Sequence, residues 1–332
     1  MSYLNSISGG NAINQLVDRV QREKSTLVAV FTVLLGLVLA VMITTSLKDL
    51  KIAEIIPISG QGIQADTKMT NKQPHVPLEE TVEKYLTLLE NAVTGSLYND
   101  VTLKTHVNIT DMSESEFALD EKRMRGNDWP GETGHTMVGH LRIRNIKEIL
   151  FDVIQTQTKG DFAEFGVWRG GSCIFAAGLF DILNERERMV HVFDAFGKLS
   201  SDVGGYGNNN DYLAVSQTQV KFNFWKYGLL NHDRVQFHQG LFQDTAPQFR
   251  RELDRNGRRL AVLRIDGNFY DSYYDVLENL YDHVTKNGFV IFDDIKSHPD
   301  VQRAWNDFQK VRMLDIELTY IDDHSAYFRK EM

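Results

Sequence analysis

Cysteine is all but missing from this sequence. Cys173 stands alone among 332 residues, so no intrachain disulfide can form and a cysteine-based zinc site is excluded. Basic charge is also short: 36 Lys and Arg stand against 45 Asp and Glu, for a net charge of −9. Nucleic-acid binders usually present a basic surface, so no nucleic-acid partner is expected. No internal repeat or low-complexity tract is visible, which sets aside repeat architectures and compositionally disordered segments. One stretch lacks charge altogether. Residues 25–46 carry no charged side chain and run apolar from Leu27 to Ile43. That meets the roughly 20 residues needed to cross a bilayer, and it exceeds the ~7–15-residue apolar core of a cleaved signal peptide.

Residues 25–46 therefore predict a transmembrane signal-anchor, with residues 1–24 as a cytosolic tail. Residues 47–77, holding Pro57, Gly60, Gly62, Pro74 and Pro77, read as a linker. Arg19, Arg22 and Lys24 precede the span, while Lys48 and Lys51 follow it. This bias predicts a single-pass type II membrane protein, with a luminal ER or Golgi domain in a eukaryote. The sequon Asn108-Ile109-Thr110 agrees with that placement.

What is present from residue 78 onward is globular. The composition is 42% hydrophobic and 24% charged. A helical region over 78–158 precedes a core over 159–332. The core opens on Lys159 to Cys173: an apolar strand (161–167), a turn with Gly166, Gly170 and Gly171, then a helix that Ser172 can cap. Small residues let a ligand approach the backbone, and free N–H groups at the helix start face it. The spacing Gly-x-x-x-Gly-Gly departs from the Gly-x-Gly-x-x-Gly of pyrophosphate-binding dehydrogenases and favours S-adenosylmethionine over NAD.

Further strands are predicted at 190–193, 235–238, 260–265 and 289–292, separated by helices at 215–230, 247–253 and 274–284. A helix at 299–311 and a hairpin over 318–321 and 326–328 close the chain, and 198–211 reads as a loop. This alternation predicts an α/β fold with a doubly wound, mostly parallel sheet. Ligands bind such sheets beyond the carboxyl ends of the strands. Asp194, Asp266, Asp293 and Asp294 all fall there.

Several motifs, in order, resemble the macrocin O-methyltransferase (TylF/MycF-like) family. They are YLTLLENAVTGSLYND (85–100), DWPGETGHTMVG (128–139), GDFAEFGVWRGGS (160–172), VQFHQGLFQDTAP (235–247), LAVLRIDGNFYDSYYDVLENLY (260–281) and GFVIFDD (288–294). The resemblance implies a Rossmann-like class I fold and an S-adenosylmethionine- and Mg²⁺-dependent O-methyltransferase acting on a sugar or glycoside hydroxyl. It implies a cofactor turn at Glu164, Gly166 and Gly170, a ribose-hydroxyl acceptor at Asp194, and an adenine side at Gly240, Phe242 and Asp244. Asp266, Asp293 and Asp294 match the family's metal-binding carboxylates. The sequence departs from the family at Asn268, where Asp is common, and at Ala195, where Ser is common.

Mg²⁺ prefers hard oxygen ligands, and two adjacent aspartates need a cation or strong hydrogen bonds to offset their repulsion. The bland alternative is that Asp266 and Asp294 are helix caps. Asp266 is a candidate proton acceptor, with His135, His298 and Lys296 as rivals. Ser172 and Arg169 join the cofactor candidates, with Arg169 open between the cofactor carboxylate and a surface charge. Trp129 and His135 lie in a loop that could form a lid. Partners expected are a sugar or glycoside acceptor, the membrane through one N-terminal helix, and room for a homo-oligomer. Two rival functions remain at this point: an NAD-linked sugar-modifying oxidoreductase, and a membrane-tethered glycan-binding protein on an inactive methyltransferase fold.

Overall fold

The computed structural model describes residues 78–98, 121–126, 129–198, 210–231 and 233–331. They fall within one compact unit, Pro74–Met332. The tail, the apolar span, the linker and Asn108 lie outside the described residues.

Helix α1 (Leu78–Val93) carries its apolar stripe inward through Val82, Leu86, Leu89 and Val93, and Gly95 (φ 79°) follows its end. A short helix α2 (Glu121–Arg125) and helix α3 (His140–Gln155) come next. Then strands and helices alternate: β1 (Asp161–Phe165), α4 (Gly171–Ile182), β2 (Val190–Asp194), α5 (Asn210–Leu213), α6 (Gln217–Lys226) and β3 (Val235–Gln239). The second half runs α7 (Phe242–Asn256), β4 (Leu260–Ile265), α8 (Tyr270–Leu280), β5 (Val284–Phe292), α9 (Pro299–Arg312), β6 (Thr319–Tyr320) and β7 (Ala326–Arg329).

The seven strands form one sheet in the order β3-β2-β1-β4-β5-β7-β6. The first five are parallel, while β7 and β6 pair antiparallel at one edge. Strands buried on both faces need near-continuous apolar runs. All five residues of β1 and all six of β4 are buried. One face packs against α1, α3, α4 and α6 around Phe162, Phe175 and Phe180. The other packs against α7, α8 and α9 around Phe165, Phe249 and Phe308.

Several local expectations differ from the structure. Helix α7 begins at Phe242 rather than Pro247, because its buried stripe starts with Thr245 and Ala246, a turn earlier. Helix α8 begins at Tyr270 rather than Tyr274 and ends at Leu280, and strand β1 ends at Phe165. Strand β5 begins at Val284, carrying polar residues through Gly288 before the apolar run. The end of the expected loop at 198–211 is helical, in Asn210–Leu213.

The expectation of a single-pass membrane protein with a luminal ER or Golgi domain is corrected. No helix among the described residues is long and apolar enough to cross a membrane. The longest, α1 and α3, have 16 residues. At ~1.5 Å per residue that is roughly 24 Å, short of a ~30 Å hydrocarbon core. Both also keep a polar face.

Candidate active site

The strand order reverses between β1 and β4, so a crevice opens at their carboxyl ends. The chain tightens this point with main-chain bonds past the strands. Gly166 N–H donates to Phe193 O (2.8 Å), Asp266 N–H to Phe165 O (2.8 Å) and Asp293 N–H to Ile265 O (3.0 Å). Gly166 has φ 91°, and a Cβ there would stand 1.9 Å from the Asp266 carbonyl oxygen. Only glycine lets the two strand ends meet so closely.

The turn after β1 is held from below by Asp194. Its carboxylate accepts N–H bonds from Val167 (3.0 Å), Trp168 (3.1 Å) and Phe196 (2.9 Å). Burial nevertheless pushes its pKa up, with these bonds opposing. A carboxylate has about four acceptor sites, so three are taken by the backbone and one is left over.

Ser172 does not cap α4. The cap position falls on Gly170, at φ 87°, and no side chain bonds there. Ser172 is inside the helix and donates its hydroxyl to the two oxygens of Glu164 (2.6 and 2.8 Å), while the Cys173 thiol donates to the same carboxylate (2.8 Å). A buried carboxylate needs such donors, and Glu164 is 1% exposed. Burial keeps the Cys173 thiol protonated, pushing its pKa well up.

Above the turn, Arg169 donates to the carbonyls of Gly131 and Gly134 (2.9 Å each) and lies 4.1 Å over the Trp168 ring. Trp129 stacks on Tyr212 (5.4 Å), and Trp168 Nε1 donates to the Tyr212 carbonyl (3.1 Å). The loop from Trp129 and helix α5 are thus gathered over the glycine turn. The Arg169 guanidinium thus ties the glycine turn to this loop.

Asp266, Asp293 and Asp294 come together, each offering a carboxylate oxygen within 4.8 Å of the others. Asp293 is the inner member, its side chain 6% exposed, whereas Asp266 keeps 26% and Asp294 15% open to a ligand. Asp293 accepts from Arg142 Nη1 (2.8 Å), from Arg264 Nη2 and from Ser325 Oγ (3.2 Å). Arg264 Nη1 reaches Asp266 (3.1 Å) and Glu164. Burial and the Asp293 charge push the Asp266 carboxyl well above the usual range. Burial and Asp293 also raise Asp294. Burial would raise Asp293 too, but Arg142 and Arg264 hold it below. His298 Nδ1 lies 3.7 Å from Asp294.

The remaining candidates spread around the crevice. His135 is buried beside the glycine turn, its ring 3.0 Å from Lys226 Nζ and 3.3 Å from the Tyr227 hydroxyl. Its carbonyl accepts from Gly171 N–H (2.8 Å). Gly240 (φ 144°) donates its N–H to Asp194 O (3.0 Å). Phe242 packs edge-on against Phe165 at 5.2 Å. Asp244 is exposed, and its charge helps raise Asp275 on α8. Asn268, at φ 61°, occupies a left-handed position that Asn tolerates.

Arg264 and Arg142 were not singled out from the sequence. A signal existed for Arg264: a lone cation inside the apolar strand Leu-Ala-Val-Leu-Arg-Ile, two residues before Asp266. A buried cation in such a run must have anionic partners.

The macrocin-O-methyltransferase (TylF) family matches residues 82–330. Demethyldecarbamoylnovobiocin O-methyltransferase of Streptomyces niveus is 35% identical over 271 residues, 76% of this chain and 98% of that protein. Mycinamicin III 3''-O-methyltransferase of Micromonospora griseorubida is 35% identical, covering 75% of this chain and 97% of its own length. The solved structure of the O-methyltransferase NovP superposes with a TM-score of 0.66 at 35% identity, over 76% of this chain and all of that one. The chain belongs to the TylF macrocin-O-methyltransferase family and is an S-adenosylmethionine-dependent O-methyltransferase.

Proposed function

We propose that the chain methylates a hydroxyl of a sugar or glycoside, with Mg²⁺ held by Asp266, Asp293 and Asp294. The observation that carries the metal reading is the convergence of these three carboxylates within 4.8 Å at the sheet crevice. Hard oxygen donors suit Mg²⁺. Charge supports the fit: the five carboxylates Glu164, Asp266, Asp293, Asp294 and Asp322 stand against two arginines, Arg142 and Arg264, so a dication offsets most of the excess. The acceptor class rests on the activities of the novobiocin and mycinamicin relatives.

When bound, S-adenosylmethionine supplies the sulfonium methyl and Mg²⁺ supplies positive charge that lowers the pKa of a nearby hydroxyl. The chain's own residues do the positioning, which dominates a direct displacement. Gly166 and Gly170 let the turn pack closely against Asp266 and against Val220 and Phe224, which shapes the cofactor crevice, and the free acceptor site of Asp194 takes a ribose hydroxyl. Asp293, clamped by two arginines, fixes the trio. Asp266, more exposed, accepts the proton of the acceptor hydroxyl. The loop carrying Trp129, held by Arg169, shields the turn from water. His135, Gly240, Phe242 and Asp244 border the cofactor crevice in this reading, with His135 away from the proton-accepting role.

Incubation of the chain with methyl-labelled S-adenosylmethionine, Mg²⁺ and a panel of glycosides and aglycones tests the reading. Label is expected on glycosides only. Transfer to aglycones alone, or transfer that survives EDTA, would remove the acceptor class or the metal respectively.

A further inference from the structure

We propose that Arg264 is a positioning residue that couples the cofactor turn to the aspartate trio, so that occupancy of one changes affinity at the other. The inference rests on the cofactor and metal reading above and adds the regulation of that site.

The observation is a shared guanidinium. Arg264 Nη1 donates to both Glu164 and Asp266, and Nη2 donates to Asp293. Glu164 in turn holds Ser172 and Cys173, the first turn of the helix that follows the glycine turn. Asp293 passes the contact on to Arg142 (2.8 Å), whose Nε donates to Asp322 (2.7 Å). The Arg264 side chain is 1% exposed, so no bulk water can replace a partner it loses.

A guanidinium is a rigid planar fork. It cannot turn away from Asp266 or Asp293 without moving against Glu164. A dication drawn to Asp266 and Asp293 neutralises them and repels the guanidinium, leaving its charge directed at Glu164. That strengthens the anchor of the first turn of α4, beneath the site taken by the cofactor. Metal therefore tightens cofactor binding, and by linkage cofactor tightens metal binding to the same factor.

Calorimetry on the full chain tests this without turnover. S-adenosylhomocysteine is titrated with and without saturating Mg²⁺, and Mg²⁺ with and without S-adenosylhomocysteine. In the natural chain Mg²⁺ is expected to tighten S-adenosylhomocysteine about fivefold or more, the lower range of ordinary coupling. Arg264→Lys keeps the charge but loses the fork. Its ratio should fall toward one while each ligand still binds. If that variant does not fold, Glu164→Gln deletes the charge that faces Arg264 on the cofactor side only, and the ratio should fall toward one with Mg²⁺ affinity retained. A ratio of one in the natural chain overturns the proposal, as does a variant that weakens both ligands with the ratio unchanged. Failure of S-adenosylhomocysteine or of Mg²⁺ to bind the natural chain at all overturns the cofactor or the metal reading respectively, and this proposal with it.

Discussion

Glu164 on β1 and Arg264 on β4 are direct register partners, and their side chains form an ion pair in which each is 1% exposed. Breaking a buried pair by removing one member leaves an uncompensated charge and typically costs about 3–5 kcal/mol. Arg264→Met is expected to lower stability by roughly that amount. Urea denaturation checks it, and an unchanged midpoint would show that the pair contributes nothing to the fold.

Gly166→Ala should be far worse than Gly257→Ala. The first places a Cβ 1.9 Å from the Asp266 carbonyl oxygen, whereas the second, at φ 64°, has nothing within 4 Å. The expected cost at Gly257 is that of a left-handed alanine, about 1 kcal/mol. At Gly166 the strand ends must separate, and cofactor binding should be lost together with thermal stability. Equal melting temperatures for the two variants would contradict the close approach.

Asp194→Ala removes the acceptor of three turn N–H groups and the remaining site for a ribose hydroxyl. Loss of charge-assisted bonds of this kind costs on the order of 1.5–3 kcal/mol. S-adenosylmethionine binding should weaken accordingly, with Mg²⁺ binding largely spared. Calorimetry showing unaltered cofactor affinity would exclude Asp194 from the site.

Asp293→Asn and Asp294→Asn keep shape and one oxygen while deleting a charge. Each should raise the Mg²⁺ concentration needed for turnover. Asp266→Asn should cost more turnover, since it also removes the proposed proton acceptor. Metal dependence measured across the three variants checks this, and identical Mg²⁺ curves would remove these aspartates from the metal site.

Acid should weaken the fold partly through His238. Burial, with the neighbouring His191, lowers its pKa from 6.5 to about 3. Its ring is stacked on Phe193 at 4.0 Å and meets His191 at 3.2 Å, and His191 in turn reaches Asp161. The folded state thus binds fewer protons than the unfolded one between these two values. Stability contributed by the neutral ring is complete above pH 6.5 and declines as pH falls toward about 3. Melting temperatures of His238→Phe, which keeps the stack, should depend less on pH across this window than those of the natural chain. Parallel curves would assign the acid sensitivity elsewhere.

The sequence by itself determined the alternation of strands and helices, the glycine turn, the acidic strand ends and the family. Each is a local property, carried by period, by turn residues or by a contiguous motif. Tertiary structure decided the pairings. Ser172 looked like a cap because it begins an apolar helix, yet the buried Glu164 beneath it claims its hydroxyl. Arg169 read as a ligand contact or a surface charge, and only the tertiary structure brought the loop carbonyls of Gly131 and Gly134 within its reach. Arg264 gained its meaning only when the register set it beside Glu164, 100 positions away in the chain, and its fork met Asp293 just past the end of the next strand. Strand register places charges across the sheet, and no periodicity along one strand encodes which neighbour it will meet.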